Sequence, residues 1–308
     1  MKTLVTGGAG FIGSHLVQAL LAAGHDVATV DNLSGGLREQ VDARARLAVV
    51  DLRDQDALEA VFARERPAVV FHLAAQSSVK ASMRDPVADA QINVLGSLTL
   101  LERCVRHGVR KVVYASSGGA AVGEPLRLPV DEQHPPTQPL SPYGVSKVVV
   151  EQYLWLYRRH HGLRSTTLRY PNVYGPRQDP GGESGVVAIF LGQMLRGEPV
   201  TINGSGEQER DFVYVEDIAA ASVLALERGD DQLLLLGSGH GTSVNELFAR
   251  LARLTGYDAP ARHGPSLPGD VQRIYLSGER ARVVLGWAPR VDLESGLSRC
   301  LEALRARA

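Results

Sequence analysis

The stretch Thr6-Gly-Gly-Ala-Gly-Phe-Ile-Gly-Ser14 decides the fold of this chain. It follows a short β-rich run at residues 2–6 and leads into an apolar helix pattern at residues 14–23, which Gly24 ends. Glycines in a turn between a strand and a helix let the backbone approach a pyrophosphate, which the helix N-terminus then stabilises. A plain tight turn would use the same glycines, but the strand–turn–helix context favours a dinucleotide-binding motif.

Strand and helix patterns alternate through the first half of the chain. The strand-like runs, rich in valine and leucine, lie at residues 26–30, 47–50, 68–73 and 111–115, and the helical stretches at 54–64 and 86–105. Near-continuous apolar runs are typical of strands that are buried on both faces of a parallel sheet. The pattern therefore predicts an α/β fold of the Rossmann type, built on a doubly wound parallel sheet.

The second half of the chain is richer in loops. The segment 124–142 contains six prolines, and we interpret it as a loop over a site because a strong helix follows it. Later elements include a strand at 233–236 and a helix that begins with the capping box Ser243-Val-Asn-Glu246. We predict an NAD-binding Rossmann domain at residues 1–170 and a smaller C-terminal α/β substrate lobe at 171–308, with segments of the two interleaved.

The composition argues against several classes of protein. The formal net charge is −1 and the basic residues form no stripe, so we expect no nucleic-acid partner. Two cysteines, Cys104 and Cys300, are too few for a disulfide framework, and the nine histidines show no metal-ligand spacing. No apolar run approaches the roughly 20 residues that a membrane span needs. We therefore expect no bound metal, no membrane contact and a cytoplasmic location.

Acidic residues follow the second and third predicted strands. Asp31 comes 18 residues after Gly13, where a carboxylate can bind the adenosine ribose hydroxyls of NAD and repel the 2′-phosphate of NADP. An exposed acidic turn residue is the alternative interpretation. Asp51 and Leu52 end the third strand and could contact the adenine edge, whereas Asp54 is a candidate helix N-cap. The pattern favours NAD as the cofactor.

The motif Tyr143-Gly-Val-Ser-Lys147 puts a phenol and an ammonium on one helical face. Such a pair also arises by chance on solvated helices, but Ser116-Ser117 lies at the carboxyl end of the strand at 111–115, where open α/β sheets bind ligands. A phenol has a pKa of about 10, so it acts as a base near neutral pH only beside positive charge. The lysine and an oxidised nicotinamide would supply that charge, which predicts proton abstraction from a hydroxyl coupled to hydride transfer.

Taken together, these residues resemble the extended short-chain dehydrogenases/reductases, and within them the NAD-dependent epimerase/dehydratase family of the UDP-glucose 4-epimerase type. The resemblance covers nearly the whole chain. The segments that carry it are the glycine turn, Asp31-Asn-Leu33, His72-Leu-Ala-Ala75, Asn93, Ser117, Ser141-Pro-Tyr-Gly-Val-Ser-Lys147, Arg169-Tyr-Pro-Asn-Val-Tyr-Gly-Pro-Arg177, Arg210-Asp-Phe-Val-Tyr-Val-Glu-Asp217 and Pro268-Gly-Asp270.

The resemblance implies a role for each matching residue. Tyr143 would be the catalytic base, Lys147 would lower its pKa and bind the nicotinamide ribose, and Ser117 would hydrogen-bond the reacting sugar oxygen. The implied cofactor contacts are Gly7, Gly10, Phe11, Ile12, Gly13, Asp31, Asn32, Ser34, Gly35, Asp51, Leu52, Leu73, Ala74, Ala75, Asn93, Tyr143, Lys147 and Pro171. The implied substrate contacts are Ser117, Tyr143, Asn172, Val186, Val187, Thr201, Asn203, Arg210 and Asp270.

The reaction that the resemblance implies is epimerisation at C4 of a UDP-sugar such as UDP-glucose or UDP-galactose. The C4 hydride would pass to NAD, the 4-keto sugar would swing about its diphosphate linkage, and the hydride would return to the opposite face. Relatives that dehydrate or decarboxylate their sugar usually carry an acidic residue just after the catalytic Ser or Thr, whereas Gly118-Gly-Ala120 follows Ser117 here. The resemblance also implies a homodimer formed through the helix of Tyr143 and the helix at 86–105, although the apolar stripe of Leu98, Leu101 and Val105 is more typical of a core.

Three departures from the family pattern leave the sugar open. Val122 stands where an active-site tyrosine is common, Leu267 replaces an arginine that often precedes Pro-Gly-Asp, and Ile274 lies near the position associated with N-acetylated sugars. An epimerase acting on UDP-N-acetylglucosamine or UDP-glucuronate is therefore one alternative. Asp179, in the segment where some glucuronate-accepting relatives carry a basic residue, disfavours a sugar carboxylate.

Two further alternatives keep the fold but change the activity. An NAD(P)-dependent sugar-nucleotide reductase or decarboxylase is disfavoured by Asp31 and by the missing acid after Ser117. A catalytically silent nucleotide sensor is disfavoured because the tyrosine and lysine are both present. Arg210-Asp211 could also be a surface ion pair rather than part of a diphosphate site.

Overall fold

The computed structural model describes residues 1–135, 138–181, 185–266 and 271–306. Asp270, a predicted substrate contact, and Leu267 lie outside these residues. The strands are β1 Lys2–Thr6, β2 Asp26–Asp31, β3 Arg46–Val49, β4 Val69–His72, β5 Lys111–Ser117, β6 Arg164–Tyr170, β7 Asn172–Tyr174, β8 Thr201–Asn203, β9 Glu209–Arg210, β10 Phe212–Tyr214, β11 Gln232–Leu235, β12 Thr242–Ser243, β13 Arg262–Gly264 and β14 Arg273–Ile274.

Helices connect these strands. They are α1 Phe11–Ala22, α2 Gln55–Glu65, α3 Val79–Arg84, α4 Pro86–Ala90, α5 Gly96–Arg106, α6 Pro142–His161, α7 Val186–Leu195, α8 Val215–Leu224, α9 Val244–Thr255, α10 Glu279–Leu285 and α11 Leu293–Arg305, with a 3-10 turn at Arg38–Gln40 and a π-helical turn at Gln91–Leu95. In the described parts of the chain, no helix is both long and apolar enough to cross a bilayer.

A parallel sheet of seven strands, counted over the described residues, forms the centre of the molecule. Its order is β3-β2-β1-β4-β5-β6-β11, and all its neighbouring strands pair in parallel. The chain leaves β1 toward β2 and β3 and then returns to the other side of β1 with β4. In such a sheet the carboxyl ends of β1 and β4 flank a crevice that binds ligands, so the predicted Rossmann-type α/β fold is confirmed.

Each face of the sheet is covered by its own apolar cluster. In β1, Leu4 packs with α2, α5 and α6, whereas its neighbour Val5 packs with α1 and α8. This alternation follows from the two-residue period of a strand. Leu101 is buried in the cluster of α5 and α6, and Leu98 and Val105 are partly buried and pack against it, so the stripe they form contributes to the core.

A third apolar cluster lies among α7, α9 and α11, beside short strands. β7 pairs with β10, β8 with β13, and β9 with both β12 and β14. The chain then returns to the central sheet, because α8 packs against α1 and β11 pairs with β6. Residues of α8 and β11 therefore lie with the first sheet although they follow the predicted boundary at residue 170.

Three predicted boundaries are shifted in the structure. The first helix begins at Phe11 rather than residue 14, because Ser14 N–H already bonds Gly10 O within the glycine turn. The strand predicted at 111–115 continues to Ser117, and the next residue still pairs with β6, because Gly118 N–H donates to Tyr170 O. The helix predicted at 86–105 is interrupted by the π-helical turn Gln91–Leu95, which widens the backbone around Asn93.

Candidate active site

The glycine turn joins β1 to α1 through close backbone contacts. Gly7 has a φ of 73° and its N–H donates to Val30 O at 2.8 Å. A Cβ at Gly7 would lie 2.8 Å from Ala74 N, and a Cβ at Gly13 only 2.0 Å from Gly7 O. Side chains are therefore excluded from both positions, which leaves a backbone cradle at the N-terminus of α1 of the kind that accepts a pyrophosphate.

Asp31, at the end of β2, is buried beside this turn. Its Oδ2 accepts from Ala9 N–H at 3.0 Å and its Oδ1 from Leu33 N–H at 2.8 Å. The alternative of an exposed turn residue is wrong, because Asp31 is only 8% exposed. Each carboxylate oxygen keeps a free lone pair with which to accept from a ribose hydroxyl.

The loop after β2 contacts both the glycine turn and the end of β3. Leu37 N–H donates to Ala9 O at 3.0 Å, and Asn32 Nδ2 donates to Asp51 Oδ2 at 2.9 Å. Asp51 also accepts two bonds from the Arg53 side chain and one from its backbone N–H, which hold the pKa of that carboxyl well below its usual range. The remaining predicted cofactor residues lie around this crevice, with Ser34 and Gly35 in the loop, Leu52 buried after β3, Phe11 and Ile12 at the start of α1, and Pro171 between β6 and β7.

A hydrogen-bond chain crosses the carboxyl end of β4. Ala74 N–H donates to Thr6 Oγ1 at 3.1 Å, and the Thr6 hydroxyl donates to His72 Nδ1 at 2.8 Å. His72 Nε2 then donates to Ser97 Oγ at 2.8 Å, so the network assigns the neutral Nε2–H tautomer to the ring. Burial, together with the charge of Lys147, lowers the pKa of His72 to about 3.

Asn93 ends this chain and supports the segment 73–76. Its carbonyl oxygen accepts from Ser97 Oγ at 2.5 Å. Its side chain accepts from Gln76 N–H at 2.8 Å and donates to Gln76 O at 2.9 Å. Asn93 therefore fixes the backbone of the segment that includes three predicted cofactor residues, Leu73, Ala74 and Ala75.

The side chains of Tyr143 and Lys147 meet at the end of β5, on the first turns of α6. Ser141 caps the helix by accepting from Gly144 N–H at 3.2 Å. Lys147 Nζ donates to Ala115 O at 2.8 Å and lies 5.6 Å from the centre of the Tyr143 ring. The Ser117 side chain lies close enough to Tyr143 to lower its pKa, so the structure brings the three predicted catalytic residues together.

The protein's own groups oppose ionisation of the phenol. Burial raises the pKa of Tyr143, the negative charge of Asp89 raises it further, and the Ser117 side chain acts in the opposite direction. The net shift is upward, opposite to the lowering that the resemblance implies, because burial is the largest contribution. Burial also lowers the pKa of Lys147 to about 8, against the opposing effects of Glu151 and Asp89.

Packing around the loop after Ser117 leaves little room for an acidic residue. A Cβ at Gly118 would lie 2.2 Å from Leu276 Cδ1. Leu276 is fully buried in an apolar cluster that also contains Val122 and Ile274. Val122 and Ile274, two of the three departures from the family pattern, therefore belong to one apolar cluster beside the site, and a side chain at Gly118 would displace the Leu276 side chain.

The predicted substrate residues of the C-terminal half lie on neighbouring elements. Asn172 N–H donates to Asp211 O at 2.9 Å, which brings β7 beside Arg210 at the end of β9. Asn203 ends β8, Thr201 begins it, and Val186 and Val187 begin α7, where Val187 faces the core of this lobe.

Asp211 does not form a surface ion pair with Arg210, so that alternative is wrong. Its carboxylate is buried and accepts from Ser238 Oγ at 2.6 Å and from Leu276 N–H at 3.1 Å. Burial raises its pKa to about 6. Arg210 Nη1 instead donates to Glu209 O at 2.8 Å.

Comparison with known proteins gives the family. A profile described as the NAD dependent epimerase/dehydratase family matches residues 3–235. The chain belongs to this family. The UDP-glucose 4-epimerase of Mycolicibacterium smegmatis is 45% identical to it over 312 residues, which cover 99% of both chains.

Two solved structures of UDP-glucose 4-epimerases are similar to this chain over its full length. The UDP-glucose 4-epimerase of Thermotoga maritima with UDP-glucose has a TM-score of 0.98 at 48% identity, covering 100% of this chain and 99% of that one. The Thermus thermophilus UDP-glucose 4-epimerase in complex with NAD has a TM-score of 0.96 at 44% identity, covering 100% of both.

In this family member, the sequence interpretation missed two carboxylates whose charges act on Lys147, those of Asp89 and Glu151. Asp89 is 1% exposed and Glu151 binds Arg169 through both oxygens, at 2.9 and 2.7 Å. Each lies four residues from a recognised position, Asn93 or Lys147, so helical spacing was the available signal. Over the described ranges, no cluster of three or more His, Cys, Asp or Glu side chains could hold a metal ion.

Proposed function

We propose that the protein is an NAD-dependent isomerase that epimerises C4 of a UDP-sugar of the UDP-glucose/UDP-galactose type through a transient 4-keto sugar. The proposal depends mainly on one observation. Ser117, Tyr143 and Lys147 lie together at the carboxyl end of β5, and the glycine turn follows the carboxyl end of β1. Only β4 separates these two strands, so both groups face one crevice.

In the proposed mechanism, Ser117 holds the C4 oxygen while Tyr143 takes its proton, and Tyr143 later returns a proton to the same oxygen. Bound NAD accepts the C4 hydride and supplies positive charge at the nicotinamide ring. Lys147, held by the Ala115 carbonyl, keeps an ammonium beside the phenol. No second acid is needed, which agrees with the glycine at position 118, where a Cβ would displace the Leu276 side chain.

The charge of the cofactor has a quantitative role in this proposal. To act as a base near neutral pH, a phenol must lose about three pKa units, which corresponds to about 4 kcal/mol. Burial of Tyr143 increases this requirement, and Lys147 alone does not reverse the net shift. Near neutral pH the phenol should therefore stay protonated until the nicotinamide charge and the substrate hydroxyl are both beside it.

The cofactor residues fit the adenosine half of NAD. The cradle at Gly7 and Gly13 excludes side chains, and the buried carboxylate of Asp31 suits ribose hydroxyls and repels a 2′-phosphate. We propose residues 1–170 as the NAD-binding domain, with α8 and β11 returning to it, and residues 171–308 otherwise as the substrate lobe.

We propose that Asn172, Arg210 and Asp270 bind the diphosphate and its ribose. The contact of Asn172 N–H with Asp211 O supports the first two, because it sets their strands side by side. The other proposed substrate contacts are Val186, Val187, Thr201 and Asn203. Val187 would contribute its backbone, since its side chain is buried.

The substrate assignment can be tested by offering UDP-galactose, UDP-N-acetylgalactosamine and UDP-glucuronate separately, without added reductant. The proposal predicts that UDP-galactose gives its C4 epimer, because the hydride taken from C4 returns to C4. It also predicts that the purified protein retains NAD. A protein that forms no C4 epimer from any of the three substrates, even with NAD supplied, contradicts the proposal.

We also propose a cytoplasmic homodimer that acts in carbohydrate metabolism. Exposed apolar side chains support the dimer. Val145 and Trp155 on α6 are 48% and 65% exposed, and Leu95 in the π-helical turn before α5 is 55% exposed. The packed stripe on α5 does not contribute to this surface.

Light scattering tests the dimer. The wild-type protein should have the mass of two chains, and Trp155→Glu should shift it toward one chain because a charge replaces an apolar contact. Val283→Glu is the matched control: Val283 is 81% exposed on α10, away from this surface. A monomeric wild type, or equal effects of both substitutions, contradicts the proposed interface.

A further inference from the structure

Asp89 lies in a buried position behind the catalytic pair and accepts three hydrogen bonds from three segments of the chain. Its Oδ1 accepts from Gln76 Nε2 at 2.8 Å and from Asn93 Nδ2 at 2.9 Å. Its Oδ2 accepts from Ser146 Oγ at 2.7 Å. The carboxylate therefore joins the segment after β4, the π-helical turn and the first turns of α6.

These three donors are neutral, so they leave the charge of Asp89 uncompensated. Among the residues that the structure describes, no Lys, Arg or His side chain forms an ion pair with it. A buried carboxylate without an ion-pair partner is costly unless a nearby cation offsets it. Lys147, the residue after Ser146 on α6, is buried and lies close enough to Asp89 for the carboxylate charge to raise its pKa.

The charged groups around Asp89 differ between its neighbouring elements. The titratable groups in the first half of α6 are Tyr143, Lys147 and Glu151; Lys147 is buried, and Glu151 already has Arg169 as its partner. The π-helical turn carries no titratable side chain, and the charged residues of α3, Lys80 and Arg84, are exposed. Asp85 at the start of α4 is exposed as well. Lys147 is therefore the buried cation left to offset Asp89.

We propose that Asp89 is a positioning residue whose negative charge keeps Lys147 protonated and Tyr143 un-ionised before substrate binds. Its hydrogen bonds fix the segment 73–76 and the start of α6 relative to each other. The predicted effect of Asp89 on turnover rests on the proposed function, whereas its predicted effect on the protonation of Tyr143 and Lys147 does not. The directions of the pKa shifts agree, because Asp89 raises the pKa of both Tyr143 and Lys147.

Asp89→Asn removes the charge and preserves the shape. The amide oxygen can accept from Gln76 and Asn93, and the amide nitrogen can donate to Ser146, whose hydroxyl both donates and accepts. Asp89→Ser is a second neutral variant with a smaller side chain, which guards against a folding defect specific to asparagine. Asp85→Asn is the matched control, because it removes an exposed carboxylate from the same helix and asparagine also serves as an N-cap.

The first measurement needs no sugar substrate. The phenolate of Tyr143 is titrated in the purified holoenzyme by ultraviolet difference absorbance, with the corresponding Tyr143→Phe protein subtracted. We expect the phenolate to appear about one pH unit lower in both neutral variants and to be unchanged in Asp85→Asn. The same midpoint in wild type and Asp89→Asn, or no Tyr143 phenolate in any of these proteins, overturns the inference.

The second measurement is the pH profile of turnover. Loss of the Asp89 charge should move the alkaline limb, where Lys147 loses its proton, about one pH unit lower in both neutral variants. A purely structural role would instead lower turnover at every pH without moving the limb, and that result overturns the inference. A shifted phenolate titration in a protein that epimerises no sugar would support the Asp89 inference and contradict the proposed function.

Discussion

At the scale of single residues, burial determines the acid–base behaviour of this site. It raises the pKa of Tyr143, lowers that of Lys147 to about 8 and lowers that of His72 to about 3. Each shift favours the neutral form, since removing a charge from water is the dominant cost. In our proposal, ionisation of Tyr143 therefore depends on the positive charge of the cofactor, and the negative charge of Asp89 opposes it.

His72 should make the stability of the fold depend on pH. Its pKa of about 3 in the folded protein lies below the ordinary value of 6.5, so between these values the unfolded chain binds a proton that the folded protein does not. This stability is fully present above pH 6.5 and is lost as the pH falls. Between pH 8 and pH 5 we expect His72 to lower the free energy of unfolding by about 2 kcal/mol.

Chemical denaturation at the two pH values measures this effect. His72→Gln removes the titrating ring, so its free energy of unfolding should fall by about 2 kcal/mol less than that of the wild type between pH 8 and pH 5. The exposed His160→Gln should follow the wild type. If His72→Gln and the wild type lose equal stability over this range, His72 is not the group responsible.

The residues of the proposed chemistry could be predicted from sequence to a large extent, whereas their electrostatics could not. The spacing of Tyr143 and Lys147 and the position of Ser117 after a strand are local patterns, and the structure brings all three together. The direction of the Tyr143 pKa shift depends on burial and on Asp89, which is distant in sequence. No local pattern contains that information.

At the scale of elements, the glycine turn and the π-helical turn shape the crevice in different ways. The glycine turn is visible in the sequence because two of its positions exclude a side chain by backbone contact. The π-helical turn Gln91–Leu95 was not predicted, because the apolar pattern of residues 86–105 continues through it. Its cause is tertiary, since Asn93 bonds the Gln76 backbone there.

Gly13→Ala tests the backbone cradle. The added Cβ would lie 2.0 Å from Gly7 O, an atom of the backbone, so the turn must move away from the site where a pyrophosphate would bind. We expect NAD affinity to fall at least tenfold, which corresponds to about 1.4 kcal/mol. Calorimetric titration of cofactor-stripped protein measures the loss.

Gly181→Ala is the control for this substitution, because its Cβ would meet Asp179 at an ordinary 3.5 Å in an exposed loop. Circular dichroism should show that both variants keep the fold. Wild-type NAD affinity in Gly13→Ala would mean that this turn does not hold the cofactor.

At the scale of the whole molecule, the chain leaves the central sheet and returns to it. The alternation of strands and helices was sufficient to predict the parallel sheet, and the strands predicted before residue 120 appear with boundaries shifted by one or two residues. The sequence did not reveal that α8 and β11 are the elements that return to the sheet, because β11 pairs with β6 across about 60 residues of intervening chain. That return joins the substrate lobe to the sheet that carries the proposed catalytic residues.

The most direct test of the proposed function uses UDP-galactose labelled with deuterium at C4. The protein is incubated with it and NAD in ordinary water, without reductant, and the product is analysed by NMR and mass spectrometry. We predict UDP-glucose that retains deuterium at C4, because the hydride leaves and returns within one site. Tyr143→Phe should keep its NAD and lose at least about a hundredfold in turnover. A product that has lost its deuterium to water, or no UDP-glucose from the wild-type protein, would contradict the account.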